Sequence, residues 1–203
     1  MSIHIKICGI TDLAGARAAV DAGADSIGFV LADSVRAVSS DRATAIAAKL
    51  PGSVDKVAVF RDPPRQDITL ALTGFDADVV QADYRSLVGL EGPRLLPVFR
   101  ETVSAPGEIA VYVNGDRFVY EGPHSGVGRA VDWDLAAQVA ALGQMTLAGG
   151  LDPGNVGEAI RTVEPFGVDV SSGVESSPGV KDPVRIQAFV DAVREAENDL
   201  VRV

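Results

Sequence analysis

Sulfur and imidazole are scarce in this chain. One cysteine, Cys8, excludes an internal disulfide, and the two histidines, His4 and His124, match no zinc-binding spacing. Basic charge is also in deficit, with 18 Lys and Arg against 28 Asp and Glu, a formal net charge of −10. No basic stripe is present, so a nucleic-acid partner is not expected, because phosphate backbones demand clustered Lys and Arg. Long apolar runs are missing too. "SIGFVLA" at 26–32 is among the longest, far short of the roughly 20 residues that span a bilayer. The N-terminus carries neither a basic segment followed by a long apolar stretch nor a small-residue cleavage site, and the expected location is the cytoplasm. Exposed apolar patches are not readable at this level, so a monomer and a homodimer both stay open.

What remains is a 203-residue chain, 47% hydrophobic, long enough to bury a core as one domain over 1–203. Short β-branched runs alternate with segments of helical period. "IHIKI" (3–7) reads as a strand, "TDLAGARAAVDAGA" (11–24) as a helix with Leu13, Ala16, Ala19 and Val20 on one face, and "SIGFVLA" as a strand again. Further strands are expected at 56–60, 77–81, 94–99, 117–121, 145–149 and 167–171. Helices are expected at 41–50, 65–75, 132–143, 152–163 and 182–198. Such alternation requires parallel strands with helical crossovers, and eight strands predict a closed (β/α)8 TIM barrel. A doubly wound open sheet is the competing fold, but no G-x-G-x-x-G follows the first strand. One segment fits poorly: in "EIAVYVNGDRFVYE" (108–121), Asn114-Gly115 between alternating apolar residues reads as a hairpin, with the fifth helix lost or replaced.

Barrel enzymes assemble their sites at the C-terminal ends of strands. Residues just past the apolar runs include Cys8, Glu121, Gly149 and Gly150, then Ser171, Ser172 and Gly173. Small residues on strands seven and eight let backbone amides approach the oxygens of a phosphate. A phosphosugar-type ligand is therefore expected. A thiol and a carboxyl group at the same mouth, with no metal cluster and no cofactor motif, suit proton transfer and above all isomerisation.

These residues resemble a known family, the phosphoribosylanthranilate isomerases of tryptophan biosynthesis. "KICGIT" (6–11) is similar to its opening signature, "GADSIGFV" (23–30) to its second strand, and "LAGGLDPGNV" with "GVDVSSGVESSPGVKD" to its last two strands and phosphate loops. The resemblance implies a cofactor-free Amadori rearrangement, with Cys8 as the base and Glu121 where the family has an aspartic acid. It further implies Arg36 on the anthranilate carboxylate, for which a guanidinium fork is well shaped, and Gln81 and Asp169 as substrate contacts. Phosphate would be held by Gly149, Gly150, Ser171, Ser172 and Gly173. Cys8 would need positive charge nearby to ionise at neutral pH, and Lys6 is the candidate. Departures stand beside these matches: "SVR" (34–36) lacks the family's proline, "QADY" (81–84) keeps only part of its strand-four motif, and "SGVG" (125–128) retains Gly126 and Gly128. Two alternatives are therefore a paralogue isomerising another phosphosugar and a silent phosphate-binding protein. Retention of both Cys8 and a carboxyl at 121 argues against silence. A histidine-pathway sugar isomerase is disfavoured, since those enzymes use an aspartate where Cys8 stands.

Overall fold

The computed structural model describes residues 2–101, 106–113, 115–122 and 131–201. Eight parallel strands close into a barrel in chain order: β1 (His4–Cys8), β2 (Ser26–Val30), β3 (Asp55–Val59), β4 (Val79–Asp83), β5 (Arg94–Arg100), β6 (Gly115–Glu121), β7 (Gly143–Ala148) and β8 (Gly167–Val170). Pairing of β1 with β8 closes the ring, with Lys6 opposite Asp169 and Ile7 opposite Val170. Helices follow each strand: α1 (Leu13–Ala22), α2 (Ser40–Ala47), α3 (Arg65–Gly74), α4 (Tyr84–Leu87), α5 (Pro106–Val113), α6 (Trp133–Ala140), α7 (Val156–Val163) and α8 (Pro183–Val201). No described helix is long and apolar enough to cross a membrane.

A parallel sheet wrapped by helices is dry on both faces, which is why its strands read as nearly unbroken apolar runs. The residues divide by parity. Ile5 and Ile7 of β1, Ile27 and Phe29 of β2 and Phe118 and Tyr120 of β6 join the large core between strands and helices. Val57, Val59, Val79, Leu96, Val98, Val119, Ala148 and Cys8 form a smaller cluster inside the barrel. Because side chains alternate along a strand, outward Ile5 and Ile7 oblige His4, Lys6 and Cys8 to face inward. Caps hold several helix starts: Asp12 accepts from the N–H of Gly15, Ser39 from that of Arg42 and Asp132 from those of Asp134 and Leu135.

The hairpin expected around Asn114-Gly115 is not formed, and the fifth helix is present. Alternation would place Ile109, Val111 and Val113 on one face, whereas α5 buries Ile109 and Val113, four apart, and leaves Val111 86% exposed. Pro106 begins that helix, a position where its missing N–H costs nothing. Gly115, at φ 89°, turns the chain into β6, and Asn114 lies outside the described residues. Two smaller corrections follow. The single turn α4 has no counterpart in the expected elements, and α7 begins at Val156 rather than 152, because Asp152 to Asn155 form a turn held by Asp152 Oδ1 on the N–H groups of Gly154 and Asn155.

At the N-terminal end of the barrel, His4 Nε2 lies 3.0 Å from Ser26 Oγ. Burial first and then the Arg117 charge push its imidazole down to about 4, from 6.5. The unfolded chain therefore takes up this proton before the folded one as pH falls. The stability tied to His4 is complete above about 6.5 and is lost progressively toward about 4. Thermal melts at pH 7 and pH 4.5 should show a larger drop in Tm for the wild type than for His4→Gln; equal drops would assign the acid lability to other groups.

Candidate active site

A cavity of about 200 Å³ opens at the C-terminal ends of the strands. Its lining includes Cys8, Arg36, Gln81, Arg100, Glu121, Gly149, Gly150, Asp169, Ser171 and Ser172. The expected acid, base, substrate contacts and phosphate contacts are thus all on its wall except Gly173.

Cys8 is the last residue of β1 and lies opposite Gly28 of β2. A Cβ at Gly28 would stand 2.8 Å from Cys8 Sγ, so glycine there is what gives the thiol its room. Beneath it, the fully buried Lys6 donates to Asp169 Oδ2 at 2.7 Å. Burial alone would weaken the Lys6 ammonium, but the Asp169 carboxylate and the Cys8 sulfur outweigh it and hold the group above its ordinary range. The Cys8 thiol is pushed up as well, which for a thiol disfavours the charged form. Burial raises Cys8, Lys6 pulls it back in part, and Asp169 opposes Lys6. Lys6 therefore does face the interior, where the sequence could not place it.

Glu121 ends β6, with β7 and β8 between it and β1 around the wall. Its Oε1 forms an ion pair with Arg100 Nε at 3.0 Å, and Arg100 Nη1 donates to Asp83 Oδ2 at 2.7 Å. Gln81 is 6% exposed and lines the same cavity, with no hydrogen-bond partner for its Oε1 among the described residues. Asp169 Oδ1 is in the same condition. Buried acceptors without donors are costly, and both residues line a cavity that a ligand carrying hydroxyl groups would fill.

Arg36 reaches the cavity but is already engaged. Its Nε and Nη2 bind Glu175 at 2.7 and 2.9 Å, in a bidentate pair. An arriving carboxylate can meet only the remaining edge of that fork unless Glu175 gives way. Glu175 also accepts from Lys181 at 2.8 Å, and the two cations outweigh burial and keep its carboxyl below the usual range. Lys181 in turn donates to the carbonyl of Ser171 at 2.9 Å.

The small-residue loops after β7 and β8 divide in the same spirit. Gly149 and Gly150, with φ of 96° and 69°, take left-handed conformations that side chains rarely adopt. The Gly150 carbonyl accepts from Asn155 Nδ2 at 2.8 Å, which ties the turn to the start of α7. Gly173 sits behind the lining, pressed against the neighbouring loop: a Cβ there would come within 2.0 Å of the Leu151 carbonyl oxygen. Its role is to let the two loops touch. His124, Gly126 and Gly128 lie outside the described residues.

Sequence reasoning assigned no role to Glu175, Lys181 or Arg100. The first two stand in the quoted "GVESSPGVKD", and the signal available was charge of opposite sign within an otherwise small-residue loop.

Residues 5–192 match the family model described as N-(5'phosphoribosyl)anthranilate (PRA) isomerase. The chain is 38% identical to the N-(5'-phosphoribosyl)anthranilate isomerase of Pelobacter propionicus over 213 residues, covering 98% of this chain and all of that one. Its fold is similar to the crystal structure of the phosphoribosyl anthranilate isomerase from Thermus thermophilus, with TM-score 0.85, 30% identity, and 95% and 99% of the two chains covered. It is also similar to a phosphoribosyl anthranilate isomerase solved in complex with reduced 1-(o-carboxyphenylamino)-1-deoxyribulose 5-phosphate, with TM-score 0.80, 32% identity and the same coverage.

The placement of Lys6 generates a test. Because burial holds Cys8 largely as the thiol, iodoacetamide should modify it slowly at pH 7 and faster as pH rises. In Lys6→Met the rise should move to higher pH, since the larger of the two positive charges that favour the thiolate, Lys6 ahead of Lys181, is gone. Mass spectrometry of the alkylated protein across pH, below the melting temperature of each variant, measures both curves; a Lys6→Met curve that coincides with the wild type would mean Lys6 does not act on the sulfur.

Proposed function

Because the chain belongs to the phosphoribosylanthranilate isomerase family, we propose that it converts N-(5-phosphoribosyl)anthranilate to 1-(2-carboxyphenylamino)-1-deoxyribulose 5-phosphate, using Cys8 as base and Glu121 as acid. The observation that carries this reading is the presence of both groups, and of the small-residue loops after β7 and β8, on one cavity.

Glu121 gives its proton to the furanose ring oxygen as the C1′–O bond breaks, and the anthranilate nitrogen supplies the electron pair that forms the C1′=N bond. Cys8, acting through its minor thiolate form, then removes the C2′ proton. That bond's electrons become the C1′=C2′ bond of an enolamine, and the electrons of the C=N bond return to nitrogen. Loss of the C2′ hydroxyl proton and protonation at C1′ give the aminoketone. Oxidation level moves between two carbons of one molecule, so no external electron acceptor is needed. Gly149, Gly150, Ser171 and Ser172 hold the phosphate, with Gly173 permitting their approach. Gln81 and Asp169 present acceptors to the ribose hydroxyls, and Arg36 offers its free edge to the anthranilate carboxylate. The whole chain, 1–203, acts as one catalytic domain in the cytoplasm, as a monomer or homodimer.

The enzyme is tested by following loss of the fluorescent phosphoribosylanthranilate. Cys8→Ala and Glu121→Gln should each lower kcat by at least about 100-fold, the usual contribution of a positioned acid or base. Arg36→Ala should chiefly raise KM. A folded wild-type protein without turnover overturns the reading, and undiminished turnover in Cys8→Ala removes the sulfur from its role.

A further inference from the structure

Asp83, Arg100 and Glu121 are the terminal residues of β4, β5 and β6, three consecutive staves of the barrel. Register makes them neighbours: Arg100 is directly opposite Glu121, and Asp83 is opposite Val98, two residues before Arg100. The guanidinium spans both carboxylates, with Nη1 2.7 Å from Asp83 and Nε 3.0 Å from Glu121, and all three side chains are 13% exposed. Arg100 and Glu121 line the cavity, whereas Asp83 stands behind them. Asp83 is itself fixed, because its Oδ1 accepts from the N–H of Arg85 at the start of α4 while its Oδ2 accepts from Arg100.

We propose that Arg100 is a positioning residue for the proton donor: anchored by Asp83, it holds the Glu121 carboxyl at its working place over the cavity. The inference rests on the reading of Glu121 as the acid. Three torsions separate a glutamate carboxyl from its backbone, so an unheld one samples many positions, and a displacement of about an ångström can cost about 100-fold in rate. A planar guanidinium meets two carboxylates at set angles, which a lysine ammonium does not. A protonated carboxyl can accept from Arg100 at Oε1 and carry its proton on Oε2, so the contact is compatible with proton donation.

The test is a double-mutant cycle on kcat and KM. Arg100→Met should lower kcat by about tenfold with KM within about twofold, because the group acts on the transition state through Glu121 rather than on substrate binding. In the Glu121→Gln background, where no proton remains to be placed, the same change should cost no more than about twofold. Asp83→Asn should show the same pattern with a smaller loss, and Arg100→Lys should recover part of the kcat. If Arg100→Met does not fold, Arg100→Lys carries the cycle. An equal loss in both backgrounds overturns the proposal, as does a raised KM with unchanged kcat, which would make Arg100 a substrate-binding group. Full activity of Glu121→Gln alone strikes the acid assignment first and is distinguishable from either result.

Discussion

The buried ion pair between Lys6 and Asp169 is the constraint on which the site depends. Taking an ammonium and a carboxylate out of water costs several kcal/mol each, by order of magnitude, and is offset only when the two are held together with good geometry. Here they meet at 2.7 Å across the β1–β8 seam, where the barrel closes. A one-residue slip of β1 would turn Lys6 into the layer occupied by Ile5 and Ile7 and leave Asp169 without its partner, so the pair and the apolar layer enforce the same register. That register also decides the direction of Cys8, two residues on. The ion pair thus holds the seam, orients the thiol and places a cation beneath it.

Around the mouth the same logic recurs with different groups. An acidic chain with net charge −10 gathers cations locally where an anionic substrate must sit. Lys181 is not spent on solvent; it ties the Ser171 carbonyl and Glu175 together, and Glu175 holds Arg36. Gly9 allows this network to close over the strand end, since with φ 74° a Cβ there would stand 2.5 Å from Arg36 Cδ and 2.9 Å from Ser171 Oγ. The glycine after the thiol in "KICGIT" is therefore a space for the arginine. Local arrangement rather than total charge makes the cavity fit for a phosphorylated ligand.

Those relations explain what the sequence did and did not reveal. Strand–helix alternation was legible because the parallel sheet is dry on both faces, and positions just past each apolar run were legible because the fold puts them at one mouth. Pairings were not legible. Arg36 and Glu175 are 139 residues apart and Lys6 and Asp169 are 163 apart, and nothing local in the chain links them. The α5 segment misled for a different reason. "IAVYV" alternates as a strand would, but its fate is set by which residues meet the neighbouring core, and Ile109 with Val113 does so at helical spacing. Gly173 was grouped with the ligand-facing residues because small size is the only feature visible in sequence, and small size serves close packing of two loops as well as approach to a phosphate.

Glu121 and Cys8, the proposed acid and base, are held in place by opposite means, and the contrast follows from their lengths. Cys8 has one torsion before its sulfur, and packing is enough to confine it: Gly28 leaves just the room required, with Val59 on its other side and Lys6 beneath. Glu121 stands at the rim, where packing is thinner and the side chain longer, so apolar contact cannot define where its oxygens lie. Definition there has to come from directional contacts, and Arg100 provides one, made rigid by Asp83 and through it by the first turn of α4. A longer side chain at this position therefore brings a dependence on its neighbours that a shorter one would feel less, and the placement of the Glu121 carboxyl becomes a property of three strands rather than of one residue.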